Sequence, residues 1–284
     1  MRLVTTVPEV RVWRANSADS VGLVPTMGYL HAGHLSLLAA ARGENRRVAA
    51  TVFVNPTQFG PQEDLDRYPR DLERDRRLLA DAGCDLLFAP SVQEMYPAGF
   101  ASSVDVGPVA AFLEGERRPG HFRGVATIVL KLFGIFTPDR AYFGQKDAQQ
   151  LAVIRSLVRD LNVPVEVRAC PTVREGDGLA LSSRNSYLSL EERRAAPVLH
   201  RALCAARDRW DAGEREGSVL RRAMADVLAT EPRVRVDYAS AVDPGTFLEV
   251  EEATGPLLLC AAVWIGRTRL IDNLALGGDQ EGGC

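Results

Sequence analysis

Val21-Gly-Leu-Val-Pro-Thr-Met-Gly-Tyr-Leu-His-Ala-Gly-His-Leu-Ser-Leu-Leu38 is the stretch that decides the fold. Val21 to Val24 is a short apolar run, long enough for one strand buried on both faces of a parallel sheet. Pro25 has no N–H to give to a ladder, so strand pairing is expected to end there. Gly28 and Gly33 are expected to relax the backbone where the chain turns sharply. Leu35, Leu38, Ala39 and Arg42 then fall on helical spacing. A strand, a glycine-bearing turn and a helix in that order aim backbone N–H groups and a helix dipole at one spot, which suits a phosphate. His31 and His34 stand at that spot, where two imidazoles can direct N–H donors at one anion and stabilise charge building on a phosphoryl group. The plain alternative is a turn that happens to carry two histidines. Zinc is a rival use of the pair, but no Cys or His cluster elsewhere completes a ligand set.

Outward from this unit the pattern repeats. Arg47 to Asn55 contains a second doubly buried strand, and Asn55-Pro-Thr-Gln-Phe-Gly60 follows it as a turn. In an open α/β sheet that position lies at a strand's carboxyl end, where ligands bind. Asn55 and Gln58 offer uncharged donors and acceptors there, although turn chemistry alone accounts for Asn55. Asp66 to Ala82 reads as a charged helix with Leu72, Leu78 and Leu79 as its apolar stripe, and Asp75 is a weak candidate to approach magnesium. Asp85 to Pro90 is a third strand. Glu114 to Gly124 gathers Arg117, Arg118, His121 and Arg123 into a basic loop, either beside a phosphate or simply solvated. Val125 to Phe136 reads as a buried helix, Arg140 to Phe143 as a strand, and Ala148 to Asn162 as an amphipathic helix with Gln149 and Gln150 in its first turn. Lys146, at the strand's end, can present a point charge to phosphates. Val165 to Ala169 is another strand. This alternation predicts a doubly wound parallel sheet.

Pro171 to Asn185 collects glycines, hydroxyls and Arg184 into a second candidate phosphate clamp, which also serves as an interdomain linker. Gly176 and Gly178 are expected to give it freedom to move. Beyond it, Ser189 and Glu192 form a capping-box signature opening a helix to about Trp210. A helix over Ser218 to Thr230 and strands at Arg233 to Val242, Leu257 to Ile265 and Thr268 to Leu274 follow, which suggests a smaller α+β domain. The domains are therefore placed at 1–172 and 173–284, with a loosely ordered tail from Gly277.

Bulk properties narrow the class. The 284 residues suffice for two cores, 46% hydrophobic and 25% charged content are those of an ordinary globular protein, and a net charge of −3 argues against a nucleic-acid partner. Five cysteines without metal-ligand spacing, three of them inside apolar runs, favour buried thiols and a reducing compartment. The longest apolar run, Leu257 to Ile265, is too short to span a bilayer, and no leader pattern opens the chain. A cytoplasmic protein with no membrane partner is expected.

Taken together, Pro-Thr-Met-Gly-Tyr-Leu-His-Ala-Gly-His, Val-Phe-Val-Asn-Pro-Thr-Gln-Phe, Tyr-Pro-Arg at 68–70, His-Phe-Arg-Gly-Val at 121–125, Gly-Gln-Lys-Asp, Gly-Leu-Ala-Leu-Ser-Ser-Arg-Asn and Arg-Leu-Ile-Asp-Asn at 269–273 resemble the pantoate–β-alanine ligase (pantothenate synthetase) family of HxGH nucleotidyltransferases. The resemblance spans nearly the whole chain. It implies an AMP-forming ligase that joins (R)-pantoate to β-alanine through a pantoyl-adenylate, with ATP as co-substrate and Mg2+ required. It implies a Rossmann-like N-terminal domain, a smaller C-terminal domain that lids the nucleotide, and a homodimer. By the family pattern Met27, Gly28, Tyr29, Leu30, His31, Ala32, Gly33 and His34 hold ATP, joined by Gly144, Gln145, Lys146, Asp147, Val173, Leu181, Ser182, Ser183 and Arg184. His34, His31 and Lys146 are the catalytic positions. Gln58 and Gln150 match the pantoate contacts, and Gln58 also lies by the β-alanine site. Tyr29 and Ala32 occupy a variable part of the motif. Arg74 stands where an acidic residue is common, so no protein ligand for magnesium is assigned. A nucleotidyltransferase acting on a phosphate ester and a nucleotide-binding protein without turnover are the alternatives. The first would release a stable nucleotide conjugate instead of AMP, and the second would release no pyrophosphate.

Overall fold

The computed structural model describes residues 1–16, 18–61 and 63–278, and the chain divides into two compact units. The first comprises Met1–Gln145 and Gln149–Cys170; the second comprises Lys146–Ala148 and the chain from Pro171 onward. The expected loose tail beyond residue 278 lies outside the described residues.

In the first unit the elements run β1 (Arg2–Val4), α1 (Val7–Ala15), β2 (Val21–Thr26), α2 (Ala32–Glu44), β3 (Arg47–Val52), α3 (Leu72–Asp81), β4 (Leu86–Phe88), α4 (Val92–Met95), α5 (Glu114–Arg117), α6 (His121–Phe136), β5 (Arg140–Gly144), α7 (Ala148–Asp160) and β6 (Glu166–Cys170). The six strands form one sheet in the order β1-β4-β3-β2-β5-β6, and every pairing is parallel. Helices cover it, as the near-continuous apolar runs of β2 and β3 require. Leu37, Leu38 and Ala41 of α2 pack on Val24, Val48, Ala50 and Leu87 from the sheet. β2 has β3 on one side and β5 on the other, so the winding reverses at β2 and β5, and their carboxyl ends flank the crevice where such sheets bind ligands. The sequence reading missed β1 and α1, since a three-residue edge strand carries almost no periodic signal.

Pro25 does not end β2. The strand continues to Thr26 in register with β3, Pro25 lying opposite Thr51. The Thr26 carbonyl accepts from Phe53 N–H on the β3 side, whereas the Val21 carbonyl accepts from Asp139 N–H on the β5 side. Alternation therefore turns the Pro25 nitrogen toward β5, where pairing has already stopped at Leu23. No ladder bond is lost, which is the edge-like situation a strand proline tolerates.

The second unit contains α8 (Leu190–Ala195), α9 (Val198–Asp211), α10 (Gly217–Leu228) and an antiparallel sheet β7-β8-β9 (Val234–Val242, Leu257–Ile265, Thr268–Leu276). The Ser189/Glu192 capping box is present, but the expected single helix is two, because Pro197 cannot donate the next helical bond. Leu199, Leu203, Leu220 and Met224 from the helices meet Leu259, Ala261, Leu270 and Leu274 from the sheet. Cys84, Cys170 and Cys260 are buried thiols.

Candidate active site

The candidate residues fall into two sets, one in each unit. In the first unit, β2 delivers the chain into a turn formed by Gly28 and Tyr29, with φ of 89° and 50°. The positive-φ pair is therefore not Gly28 and Gly33; Gly33 lies inside the first turn of α2. Gly28 is required twice over, since a Cβ there would come within 2.8 Å of Val52 and 3.0 Å of an Asp75 oxygen.

The backbone amides of this turn are almost all engaged internally. Gly28 N–H donates to Thr26 Oγ1 (3.1 Å), Tyr29 and Leu30 N–H to the Asp75 carboxylate (2.7 and 2.8 Å), and His31 N–H to His34 Nδ1 (3.3 Å). Gly33 N–H donates to His31 Nδ1 (3.1 Å), and His34 N–H to the His31 carbonyl (2.8 Å). Among the described residues from Gly28 to His34, only Ala32 N–H has no such acceptor. The expectation of a cradle of open amides is thus corrected. Each Nδ1 accepts from an amide, so each neutral ring carries its proton on Nε2. The two rings lie with centroids 4.1 Å apart, tilted by 39°.

Asp75, offered by sequence as a magnesium contact, is fully buried instead. Burial raises its pKa, opposed by the Leu30 and Tyr29 amides and by Arg74. Arg74 approaches one oxygen at 3.7 Å and lies over the Tyr29 ring at 5.2 Å. Among the described residues no group of three or more His, Cys, Asp or Glu side chains could hold a metal ion. Asp75, with both oxygens on backbone N–H groups, is not disposed as a ligand for Mg2+.

Gln58 is buried at the end of the one-turn 3-10 helix Pro56–Gln58. Its Oε1 accepts from Asn55 Nδ2 (3.0 Å) and its Nε2 donates to Met27 Sδ (3.2 Å), so it sits against the segment that follows β2. Asn55 caps the turn as turn chemistry requires. It does more, however: its Nδ2 also donates to the Gly124 carbonyl (3.2 Å) and its Oδ1 accepts from Tyr96 Oη–H (2.7 Å). Gly124 lets α6 touch this turn, because a Cβ would lie 2.4 Å from the Thr57 oxygen. Three of the basic residues of this stretch have partners within the protein. Arg118 pairs with Glu63 (2.6 Å), Arg123 with Asp105 (3.0 Å), and buried His121 donates from Nδ1 to the Gln58 carbonyl (2.8 Å). Burial, with Arg118 beside it, lowers the His121 pKa to about 4. Gly144 and Gln145 close β5, the neighbour of β2. Half-buried Gln150 makes no side-chain hydrogen bond among the described residues, whereas its neighbour Gln149 is tied to Glu114, Val109 and Phe112.

The chain belongs to the pantoate–β-alanine ligase family. The model of that family matches residues 2–275. A pantothenate synthetase of Roseiflexus sp. (strain RS-1) is 61% identical over 276 residues, covering 97% of this chain and 99% of that protein. The crystal structure of pantothenate synthetase from Thermus thermophilus superposes with a TM-score of 0.93 at 56% identity, covering 96% of this chain and 99% of that one. A pantoate–β-alanine ligase from Francisella tularensis, solved in complex with β,γ-ATP and β-alanine, superposes with a TM-score of 0.79 at 33% identity, covering 96% and 97%. The sheet with its smaller antiparallel companion is the fold of these enzymes, as the sequence led one to expect.

The second set lies in the other unit. Val173 to Leu181 is a tight hairpin: Leu181 N–H donates to the Val173 carbonyl, Glu175 N–H to the Leu179 carbonyl, and Gly178 N–H to the Glu175 carbonyl, all at 2.9 Å. Arg193 staples it to α8 through Glu175 and Asp177, both at 2.7 Å. Gly178, expected to confer mobility, is there for fit: its φ is 92°, and a Cβ would meet the His200 ring at 2.2 Å. Arg174 forks onto buried Asp272 (2.6 and 3.0 Å). The neighbouring Asn273 donates from Nδ2 to the Lys146 carbonyl (2.7 Å), which ties the Lys146 backbone to β9. Ser182 caps the 3-10 turn Ser183–Tyr187 that carries Ser183 and Arg184, while Asp147 is exposed. Sequence reasoning missed Asp75, Arg174, Asp272 and Asn273 as the anchors of these two segments.

Proposed function

We propose that this enzyme condenses (R)-pantoate with β-alanine to pantothenate, using ATP and releasing AMP and pyrophosphate by way of a pantoyl-adenylate. The observation that supports the reading is the preformed turn after β2, which carries two imidazoles whose Nδ1 atoms accept backbone amides, in a chain of this family whose Gln58 meets Met27 of the same segment. A carboxylate is a poor electrophile, so a pantoate oxygen first attacks the α-phosphorus and the bond to pyrophosphate breaks. His31 and His34 donate to the oxygens on which charge accumulates, and Lys146 and Arg184 add fixed positive charge. Met27 to Gly33, Gly144 to Asp147, Val173 and Leu181 to Ser183 line the nucleotide in this reading. Gln58 and Gln150 hold the hydroxyls and carboxylate of pantoate without adding charge, and Gln58 also faces β-alanine. The amine then attacks the acyl carbon, AMP departs with the bonding pair, and the nitrogen loses a proton; placement is sufficient for this step.

The bound nucleotide of the Francisella tularensis relative supports ATP as co-substrate. Mg2+ enters in this reading as the counter-ion of ATP, as substrate and not as a resident metal. The lid role of the smaller unit, the homodimer and the cytoplasmic setting belong to the same proposal and rest on the resemblance. No helix among the described residues is long and apolar enough to cross a membrane.

ATP–pyrophosphate exchange, measured with and without pantoate, tests the reading. Exchange is expected only with pantoate, and His34→Ala should lower it by about 100-fold or more, the usual cost of one transition-state donor. Near-normal exchange by a folded His34→Ala protein would refute the assignment.

A further inference from the structure

An anion already sits in the turn that the sequence marks as anion-binding, and it is the protein's own. Gly28 and Tyr29 are consecutive residues of positive φ in this turn, and the two successive amides Tyr29 N–H and Leu30 N–H converge on one carboxylate, as successive amides in a turn can on an anion. The carboxylate is that of Asp75, which gives one oxygen to each amide, at 2.7 and 2.8 Å, and has no exposure to solvent. We infer that Asp75 is a positioning residue: by seating its carboxylate on the Tyr29 and Leu30 amides it fixes, before any substrate arrives, the backbone that carries His31 and His34.

Three features fit this role and oppose a metal-ligand role. Both carboxylate oxygens are turned to N–H donors, and the neighbouring charge is the Arg74 guanidinium at 3.7 Å, which would repel a cation. Tyr29, whose positive φ is unfavourable for a side-chain-bearing residue, is held twice, by its amide on Asp75 and by Arg74 over its ring. Asp75 is itself held, since α3 starts one turn earlier with Asp71 capping Arg74 N–H at 3.0 Å and accepting Asp75 N–H on its carbonyl at 3.0 Å. The chain of support runs from the start of α3 through one carboxylate to the histidine turn.

The inference rests on the proposed adenylation, and its test separates the two. Asp75→Asn keeps the shape but offers one acceptor to two donors and turns an NH2 toward the second amide. Parent and variant are compared in pantoate-dependent ATP–pyrophosphate exchange across ranges of ATP, pantoate and Mg2+, with folding followed by circular dichroism. A folded variant is expected to lose about tenfold or more in kcat, since a misplacement near 1 Å costs up to roughly 100-fold, while half-saturation by Mg2+ stays unchanged. Parental kcat in the folded variant, or a loss restored by added Mg2+, overturns the inference. In the parent chain without ligand, exchange of the Tyr29 and Leu30 amides is expected to be strongly protected. Exchange at open-loop rates overturns the inference, whether or not the variant folds. A parent that shows no pyrophosphate exchange would defeat the functional reading alone, and the amide measurement would still decide the role of Asp75.

Discussion

Gly124→Ala is a small perturbation aimed at the pantoate side of the site from a residue that touches no substrate in the proposed mechanism. A Cβ at 124 would lie 2.4 Å from the Thr57 oxygen and 2.7 Å from the Gln58 nitrogen. Both neighbours are backbone, so neither can rotate away, and relief to even a tight contact moves the Pro56–Gln58 turn by roughly 0.6 Å relative to α6. Gln58 rides on that turn, and the Asn55 Nδ2 bond to the Gly124 carbonyl at 3.2 Å is strained by the same shift. Overpacking of this kind costs about 1–3 kcal/mol of stability. A displacement of this size should lower kcat/KM for pantoate by about 10- to 100-fold, with ATP affinity changed little. Pantoate and ATP titrations by calorimetry, alongside exchange kinetics with each substrate varied, measure the split. A folded Gly124→Ala protein with parental pantoate kinetics would refute the reasoning, because Gln58 would then tolerate a displacement its role forbids.

Two further outcomes follow from buried charge. Asp272→Asn leaves Arg174 without its counter-charge in a site where the partners' side chains are 15% and 2% exposed, so urea unfolding of the second unit should lose about 3 kcal/mol. A loss confined to a few tenths would show that the fork is not needed. His121 is neutral in the fold with a pKa of about 4, against about 6.5 for the free side chain, so the unfolded chain binds the extra proton between these values. Its contribution to stability is complete above pH 6.5 and is lost as pH falls toward 4, by at most about 3 kcal/mol. His121→Asn should flatten that part of the stability–pH curve relative to the parent, and an unchanged slope would remove His121 from the account.

The parallel sheet was legible because β2, β3 and β5 are apolar on both faces and each is followed by a turn and a helix. The supporting residues were less legible because their signal is one polar residue in phase with an apolar stripe. Asp75 stands four residues before buried Leu79 on α3, and Asp272 alternates with Leu270 and Leu274 on β9, so each carboxylate points where its neighbours are buried. Periodicity marks such residues as needing partners; it cannot name the partners. Those are Tyr29 and Leu30, forty-six and forty-five residues away, and Arg174, ninety-eight away. His121 misled for a related reason. Arginines and a histidine among glycines and a proline look solvated by composition, while in the fold Glu63, more than fifty residues upstream, pairs with Arg118, and the Gln58 carbonyl accepts a hydrogen bond from the His121 ring.

The histidine turn shows how the proposed site, unlike the contacts that hold it, can be written in residue identity. Where backbone amides hold a phosphate, sequence records only glycines, which also mark ordinary turns. Here the amides of Gly28 to Leu30 and of His31, Gly33 and His34 are satisfied within the protein. In the proposed reading anion recognition therefore falls to side chains, and the chemistry is written as residue identity at fixed spacing. The same arrangement makes the turn rigid and sets both tautomers, since a ring that accepts at Nδ1 must carry its neutral-form proton on Nε2. Each histidine closes the helix start with its Nδ1, and in the proposed mechanism Nε2 would serve the charge that develops in the reaction. Substituting either should loosen the turn and remove a donor together. The loss in His34→Ala therefore measures both effects, and a His34→Asn variant, which can still accept the His31 amide, separates capping from donation.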